Sequence, residues 1–292
     1  MQTVSSNNQM TAAGIGLQAL NDGHTSELMD FLAARPLKTF IQTSWIKDNG
    51  VCSAFNRGTF YGYRDAEGRL EGVALIGHIT LVEALSDTAL KAFVNVTQKC
   101  SGAHAVLGDA RQLNRFQNYY TQGGIAPRLV CRELLLEQRN TAPVDTVPGL
   151  RPAKLAELEL IVPVHAQSAF EESGVNPLDV DPSGFRERCA RRINLGRTWV
   201  AVEDGSLKFK ADIVSDTPEI VYLEGIYVSP EHRGNGYGAR CMTQLTNHLL
   251  EHTRAVCLLV NENNPAAQAC YRRAGYEFRD YYETLFLNHY SN

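Results

Sequence analysis

The sequence lacks the features that mark secreted, membrane-bound or metal-binding proteins. Its 292 residues include seven cysteines but no C-x-x-C pair, and an odd number of unpaired thiols argues against a disulfide framework or a zinc site. No stretch approaches the roughly 20 apolar residues that a helix needs to cross a bilayer. The first Lys or Arg is Arg35, which argues against a secretory or organellar targeting segment. We therefore expect a cytoplasmic protein with reduced thiols that binds neither a metal nor a membrane.

An excess of positive charge is also lacking. The chain has 28 Lys and Arg against 32 Asp and Glu, a formal net charge of −4, so we expect no general attraction to nucleic acid. The composition, 44% hydrophobic and 21% charged, is that of a globular protein, and the length suits one large domain or two of ordinary size.

The rest of the sequence divides into two halves with the same order of elements. Residues 1–24 are polar and contain no aromatic side chain, so we expect them to be mostly disordered. Residues 140–149 are rich in Pro and Thr and predict a linker. Each half, 25–139 and 150–292, reads as helices, then a hairpin with an acidic-Gly turn, then alternating strands and helices; in the second half the first helical region is interrupted at Pro163. This repetition predicts two related α/β domains.

One stretch of the second half has the composition of a phosphate-binding turn. Residues 221–228 are rich in β-branched and aromatic side chains and predict a strand. Three glycines then alternate before a helical pattern, at Gly234, Gly236 and Gly238, and predict a tight turn that exposes bare N–H groups to a ligand. With the partial positive charge of a helix N-terminus, these groups predict a site for phosphate or pyrophosphate, and Arg233 stands at its mouth as a further donor.

Three kinds of phosphate turn compete for these residues. A P-loop requires Lys followed by Ser or Thr after its last glycine, and Ala239-Arg240 stand there instead. A Rossmann turn, Gly234-x-Gly236-x-x-Ala239 with Glu262 as the acidic ribose ligand, fits the glycine pattern. Against it, residues 229–233 separate the strand from the turn, and only one more strand-helix-strand set follows. The first half has only Leu107-Gly-Asp-Ala110 at the corresponding place, so we expect phosphate binding in the second half alone.

The third candidate rests on two motifs. Residues 233–238, Arg-Gly-Asn-Gly-Tyr-Gly, resemble the pyrophosphate loop of the GNAT superfamily of acyl-CoA-dependent N-acyltransferases. Residues 261–276 resemble the family's second motif, N-x-x-N followed by Ala, Tyr and Gly-Tyr. By itself this stretch predicts a helix of about three turns, with an Asn N-cap, Pro at its first position and a terminal Gly. Ala267 and Tyr271 are four residues apart and share one face of it. The chain also resembles predicted acetyltransferases that have a GNAT-like N-terminal domain, although only the second half carries motifs.

The resemblance implies an α/β fold of the α+β type with two tandem GNAT-like domains, each a mixed, mainly antiparallel central sheet flanked by helices. It implies acetyl-CoA as co-substrate and direct transfer of the acetyl group to a primary amine. By position, the backbone of Ile226, Tyr227 and Val228 would pair with pantetheine, with an N–H near Ile226 stabilising the oxyanion. Tyr271 would be the general acid that protonates the CoA thiolate. The other cofactor-binding residues would be Arg233, Gly234, Asn235, Gly236, Tyr237, Gly238, Ala239, Asn261, Asn264 and Ala267.

For the general base the sequence leaves alternatives open. Glu224 lies where GNAT enzymes often carry a carboxylate, but such a residue can equally face solvent or pair with an arginine. His232 titrates near neutrality, although a histidine in such a loop is more often structural. Glu171 and Glu172 can recognise a cationic substrate or simply end a solvated helix. A lysine-like amine costs about 4.6 kcal/mol to deprotonate at pH 7 and an α-amine about 1.4 kcal/mol, so only the first needs a well-placed base.

The principal rival interpretation is a non-catalytic acyl-CoA-binding module that kept the turn and lost turnover. The identity of the acceptor and the oligomeric state have no signature in the sequence.

Overall fold

The computed structural model describes residues 16–122, 124–143 and 145–288. In these ranges the strands are β1 Gly16–Ala19, β2 Gly58–Arg64, β3 Leu70–Gly77, β4 Ile79–Ala84, β5 Ala105–Asp109, β6 Leu129–Gln138, β7 Arg151–Pro152, β8 Thr198–Glu203, β9 Ser206–Asp216, β10 Val221–Val228, β11 Val256–Asn261 and β12 Glu277–Phe286. The helices are α1 Thr25–Ala33, α2 Pro36–Asn49, α3 Asp87–Lys99, α4 Ala110–Thr121, α5 Leu158–Ser173, α6 Pro177–Val180, α7 Pro182–Asn194, α8 Tyr237–Leu249 and α9 Pro265–Arg273. None of these helices is long and apolar enough to cross a membrane.

The two halves repeat one plan. The order α1-α2-β2-β3-β4-α3-β5-α4 in the first half matches α5-α7-β8-β9-β10-α8-β11-α9 in the second. Of the strand pairs in the described ranges, β4–β5 and β10–β11 are parallel and the others are antiparallel. The predicted fold, tandem domains with mainly antiparallel sheets flanked by helices, is confirmed. A Rossmann domain has a mostly parallel sheet, so that alternative is wrong.

The halves exchange strands at the centre of one continuous sheet. The strand order is β1-β2-β3-β4-β5-β12-β6-β11-β10-β9-β8-β7. Strand β6 of the first half lies antiparallel to β11, with Leu136 opposite Leu258, while β12 of the second half lies between β5 and β6. Each half of the sheet is therefore completed by a strand from the other half.

The predicted linker contains neither helix nor strand in its described residues and is fixed to α8. The Asn247 side chain bonds both the N–H and the carbonyl of Ala142, at 3.0 and 2.7 Å. The N–H of Val147 donates to Gln244 Oε1 at 2.6 Å, and Val147 itself is buried. This segment therefore packs as part of the second half.

Helices cover both faces of the sheet. On one, here called the α8 face, α8 packs on Leu223 and Leu258. On the other, the α2 face, α1 and α2 pack on Tyr222 and Cys257, and the ring of Phe40 lies 5.0 Å from that of Tyr222. Each large apolar side chain buried in this way contributes about 1.5–3 kcal/mol. Because side chains alternate along a strand, the residue after Leu223, Glu224, belongs to the α2 face.

The N-terminal segment differs from its prediction. Residues 16–24 were expected to be disordered, but Gly16–Ala19 pair with β2, and a short 3-10 helix follows at Asp22–His24. Leu20 is buried, and Asp22 accepts hydrogen bonds from the N–H groups of Val51 and Cys52. This polar segment is ordered by one buried leucine and by backbone pairing with β2. Neither of these leaves a periodic hydrophobic pattern in the sequence, so the prediction missed them. Residues 1–15, also predicted to be disordered, lie outside the described residues.

Two further expectations are corrected. Helix α5 runs through Pro163 without interruption. The proline stands in the second turn, where its missing N–H removes a single hydrogen bond, to the carbonyl of Glu159. Strand β4 was not predicted, because a tight turn at Gly77 and His78 starts it directly after β3. The junction equivalent to the glycine turn is therefore Leu85-Ser86, between β4 and α3, and not Leu107–Ala110.

Candidate active site

A gap opens between β10 and β11. The two strands pair at three positions, Val221 with Val256, Tyr222 with Cys257 and Leu223 with Leu258. Beyond them β11 continues along β6 as far as Asn261, while β10 stays with β9. The edge of residues 224–228 therefore faces the gap without a ladder partner from β11 in the described structure. This edge contains the predicted pantetheine-pairing residues Ile226, Tyr227 and Val228, and it is the kind of strand edge to which an extended amide chain can add.

A β-bulge lies in the same part of β10. Glu224 is opposite Asp212 and Tyr227 is opposite Lys210, so two residues of β10, Gly225 and Ile226, oppose a single residue of β9. Gly225 has φ +59°, a left-handed conformation that favours glycine. The bulge re-aims the backbone of the strand where it borders the gap.

The glycine turn presents free amides at the end of this gap. Gly234 and Gly236 have φ +79° and +83°, and Gly236 caps α8 without any side-chain hydrogen bond to the cap. One amide is already used, because the N–H of Tyr237 donates to Asn235 Oδ1 at 3.1 Å. The remaining N–H groups at the helix start suit a phosphate. Gly238 has a different role: a Cβ there would lie 2.8 Å from Val228 Cγ2, so its absence lets α8 pack closely on β10.

Two side chains brace this loop. Arg233 Nε donates to the carbonyl of Val228 at 2.8 Å, so this N–H closes the end of the strand rather than meeting an anion. His232 Nδ1 lies 2.9 Å from Ser229 Oγ, and its ring packs 4.8 Å from that of Tyr237. His232 therefore has structural contacts in the loop.

The second motif forms α9 and the loop before it. The Asn264 side chain caps the helix by accepting from the N–H of Ala267 at 3.0 Å, and Asn261 accepts from the N–H of Asn263 at 2.8 Å. Tyr271 is buried, edge-on to Tyr276, and among the described residues its hydroxyl has no hydrogen-bond partner. Burial raises the pKa of Tyr271 well above its usual value, so the hydroxyl keeps its proton at neutral pH.

On the α2 face, three carboxylates influence one another beside the gap. They are Glu224 of β10, Glu172 of α5 and Glu133 of β6. Although Glu224 reaches solvent, the surrounding protein raises its pKa, and Arg192 and Lys210 oppose that effect. Desolvation in the cleft, with Glu224 and Glu133 nearby, raises the pKa of Glu172 to about 8. Burial, opposed by a hydrogen bond from Thr284 Oγ1 at 2.7 Å, raises the pKa of Glu133 to about 7. Such a group of acids attracts a cation.

Sequence reasoning missed Glu133. It comes from the first half and reaches this site only through the strand exchange, so no motif of the second half points to it. A glutamate within the apolar strand Leu129–Gln138 was the available signal, since a carboxylate is almost never buried without a reason. Glu171, considered with Glu172, is exposed and bonds Gln167 at 2.9 Å, away from this group.

A buried charged network lies behind Glu224. Lys210 Nζ donates to Asp212 Oδ2 at 2.5 Å and to the carbonyl of Gly225 at 3.0 Å, and lies 3.4 Å from His165 Nδ1. Arg192 and Thr198 also bond Asp212, at 2.9 and 2.7 Å. Burial opposes ionisation of Asp212, yet Lys210 and Arg192 hold its pKa well below its usual range. Burial, with Lys210 beside it, lowers the pKa of His165 to about 3, so this histidine is neutral.

The equivalent gap in the first half is filled by the protein itself. Strands β4 and β5 also pair at only three positions, Ile79 to Leu81 with Ala105 to Leu107. Beyond them Gln112 of α4 accepts from the N–H of Ala84 at 2.9 Å and donates to the carbonyl of Val82 at 2.7 Å. Helix α3 starts after Ser86, without a glycine turn and with the anion Asp87 in its first turn. The first half therefore has neither a free strand edge nor an anion site at this place.

Comparison with known proteins agrees with this geometry. Residues 167–276 match the model of the Acetyltransferase (GNAT) family. No match was found among curated proteins. Among solved structures, a GNAT-family acetyltransferase from Colwellia psychrerythraea is 14% identical, with 93% of this chain and 99% of that chain covered and a TM-score of 0.56. A Drosophila protein is 14% identical, with 95% and 100% covered and a TM-score of 0.67. A tandem GNAT protein from the clavulanic acid biosynthesis pathway is 13% identical, with 92% and 98% covered and a TM-score of 0.57.

At these identities the solved structures show the fold alone, while the family model covers the glycine turn, the gap and α9. Residues 167–276 are therefore similar to the GNAT acetyltransferase family, and the chain as a whole has the tandem GNAT-like fold.

Proposed function

We propose that the protein is an acetyl-CoA-dependent N-acetyltransferase that transfers an acetyl group directly to a primary amine. The observation that carries the proposal is the gap between β10 and β11. Among the described residues, it has a strand edge without a ladder partner on one side and, at its end, a helix N-terminus without a side-chain cap. An extended amide chain ending in a diphosphate has both features that such a gap recognises. Acetyl-CoA is a co-substrate here.

The chain's residues have separate roles in this reaction. Glu224 accepts the proton that the acceptor ammonium releases. The amine nitrogen then attacks the acetyl carbonyl, a C–N bond forms, and the carbonyl electrons move to oxygen, where the N–H near Ile226 stabilises the charge. As the electrons return, the C–S bond breaks, and Tyr271 donates its proton to the departing sulfur. The attacking nitrogen loses its second proton in the same step, and solvent returns a proton to Tyr271, so that the phenol is restored. The products are the acetylated amine, CoA and one proton.

The carboxylates on the acceptor side of the gap favour an acceptor that binds as a cation. Glu133, Glu172 and Glu224 together favour an ammonium group over a neutral or anionic acceptor. Because the pKa of Glu172 is raised to about 8, this carboxyl is mostly protonated at neutral pH, so binding of a cation beside it releases a proton. Turnover of a neutral acceptor in preference to every cationic amine would contradict this proposal.

The test is a thiol-release screen across amino acids, polyamines, aminoglycosides and peptide N-termini, with calorimetry for CoA. We expect CoA to bind the wild type and at least one amine to be acetylated. Tyr271→Phe should still bind CoA but lose about 10²–10⁴-fold in kcat, the range typical of a general acid. If both proteins bind CoA and neither releases thiol with any amine, the protein is an acyl-CoA-binding module. If CoA gives no heat, the assignment of the gap is wrong.

A further inference from the structure

A buried lysine contacts the backbone of β10. Lys210 of β9 is only 1% exposed, and its ammonium lies on the α2 face beneath the bulge of β10. A buried charge is costly unless it is paired, and Asp212 meets that need. Lys210 Nζ also donates to the carbonyl of Gly225 at 3.0 Å, a contact that charge pairing does not require.

The local backbone is built to permit this contact. A Cβ on Gly225 would lie 2.9 Å from Lys210 Nζ and 3.2 Å from Asp212 Oδ2. Only a glycine at this position therefore lets the ammonium approach the strand so closely, and the same residue supplies the left-handed φ of the bulge.

The contact reaches the next residue through the peptide bond. The described chain has no cis peptide, so in the Gly225–Ile226 peptide the carbonyl and the N–H point in opposite directions. An ammonium on the carbonyl therefore fixes the direction of the Ile226 N–H, away from Lys210. It also polarises the peptide unit, because hydrogen bonds in a chain strengthen one another.

We propose that Lys210 is a positioning residue for acetyl transfer: through the Gly225 carbonyl it orients and polarises the Ile226 N–H that stabilises the oxyanion. The inference rests on the proposed function, which supplies the role of that N–H. Arg192 and Thr198 hold Asp212, and Asp212 holds the ammonium, so the lysine cannot swing away from the carbonyl during the reaction. Pre-organisation of this kind is the main source of oxyanion stabilisation.

The experiment compares two variants that break the contact in different ways. Lys210→Met removes the ammonium and keeps the length of the side chain, whereas Gly225→Ala keeps the charge but displaces it. Lys208→Met is the matched control, since it removes a lysine two residues away whose only ion pair in the described structure is with Glu231, at 3.4 Å. We measure kcat with acetyl-CoA, the Kd of CoA and the amide proton shift of Ile226.

In both test variants we expect kcat to fall at least about tenfold, within the 10²–10³-fold cost of losing a whole oxyanion donor. The Kd of CoA, which has no thioester carbonyl, should stay within about threefold of the Lys208→Met value, and the Ile226 amide proton should move upfield. Equal kcat in Lys210→Met and Lys208→Met, or an unchanged Ile226 shift, overturns the inference. A loss of CoA affinity that matches the loss of kcat shows a merely structural role and also overturns it.

Failure of the proposed function would look different. A wild type that neither binds CoA nor releases thiol overturns the enzyme assignment, while the amide shift still reports whether Lys210 polarises the peptide. If Lys210→Met is not recovered folded, Gly225→Ala gives the same three readouts and decides the question.

Discussion

Removal of the Gln112 side chain should destabilise the protein, because this side chain fills the gap between β4 and β5 in the first half. The side chain satisfies the N–H of Ala84 and the carbonyl of Val82, which have no partner from β5. Leaving a buried polar group unsatisfied costs about 1–3 kcal/mol, so Gln112→Ala should lower the free energy of unfolding by about 2–6 kcal/mol. Water entering the space would hold the loss to the lower end of that range. Gln112→Glu should be at least as costly, because a carboxylate can no longer donate to Val82.

Urea unfolding monitored by circular dichroism measures this loss. Gln117→Ala is the matched control, because Gln117 lies on the same helix and its side chain makes no hydrogen bond in the described structure. The reasoning is refuted if Gln112→Ala and Gln117→Ala unfold within about 0.5 kcal/mol of each other, the range typical of surface substitutions.

Three further predictions concern the candidate active site. Glu224→Gln should lower kcat/KM and abolish its rise with pH, because the wild-type base acts only above its raised pKa. Gly238→Ala should weaken CoA binding, since its Cβ would lie 2.8 Å from Val228 Cγ2 and overpacking costs about 1–3 kcal/mol. Gly102→Ala, where a Cβ meets open space, is the control. Glu133→Gln should raise the free energy of unfolding at pH 8 by up to about 3 kcal/mol, and it should weaken acceptor binding. The pKa of Glu133 is about 7 in the folded protein against 4.5 in the unfolded chain, so the wild type loses stability as the pH rises from 4.5 to 7.

Each of these has a contrary outcome. If the pH profile of kcat/KM for Glu224→Gln overlays that of the wild type, Glu224 is not the base and water takes that role. Equal CoA affinity in Gly238→Ala and Gly102→Ala would show that α8 tolerates displacement. A Glu133→Gln protein no more stable than the wild type at pH 8, in parallel urea titrations at pH 5 and 8, would mean that the carboxylate is not held in a costly environment.

The local geometry of the proposed cofactor half of the site was accessible from the sequence because it depends on neighbouring residues. The glycines at 234, 236 and 238 form one short segment, and the N-cap Asn264 with Ala267 and Tyr271 forms a second. Within each segment, turn and cap chemistry fix the geometry. Structure altered one detail there, since one N–H of Arg233 is taken by the strand end.

The proposed acceptor side was not accessible from the sequence because it depends on long-range strand pairing. Glu133 reaches Glu224 only when β6 crosses into the second half, and the Lys210–Gly225 contact requires a bulge that no residue pattern announces. Gln112 also reads from sequence as an ordinary helix residue. Each of these side chains meets a backbone group or a strand that is distant in the sequence. Such contacts depend on the register between strands, which the whole sheet sets.

The exchange of strands makes the order of synthesis part of the folding problem. Strand β5 leaves the ribosome more than 160 residues before β12, its partner at Tyr282–Phe286. At 5–20 residues per second, its edge waits roughly 10–30 s for that partner. During that interval β5 is an open edge on which another chain can add. Premature termination before β12 would therefore not release a working acetyltransferase half, but an incomplete sheet prone to associate with its own copies.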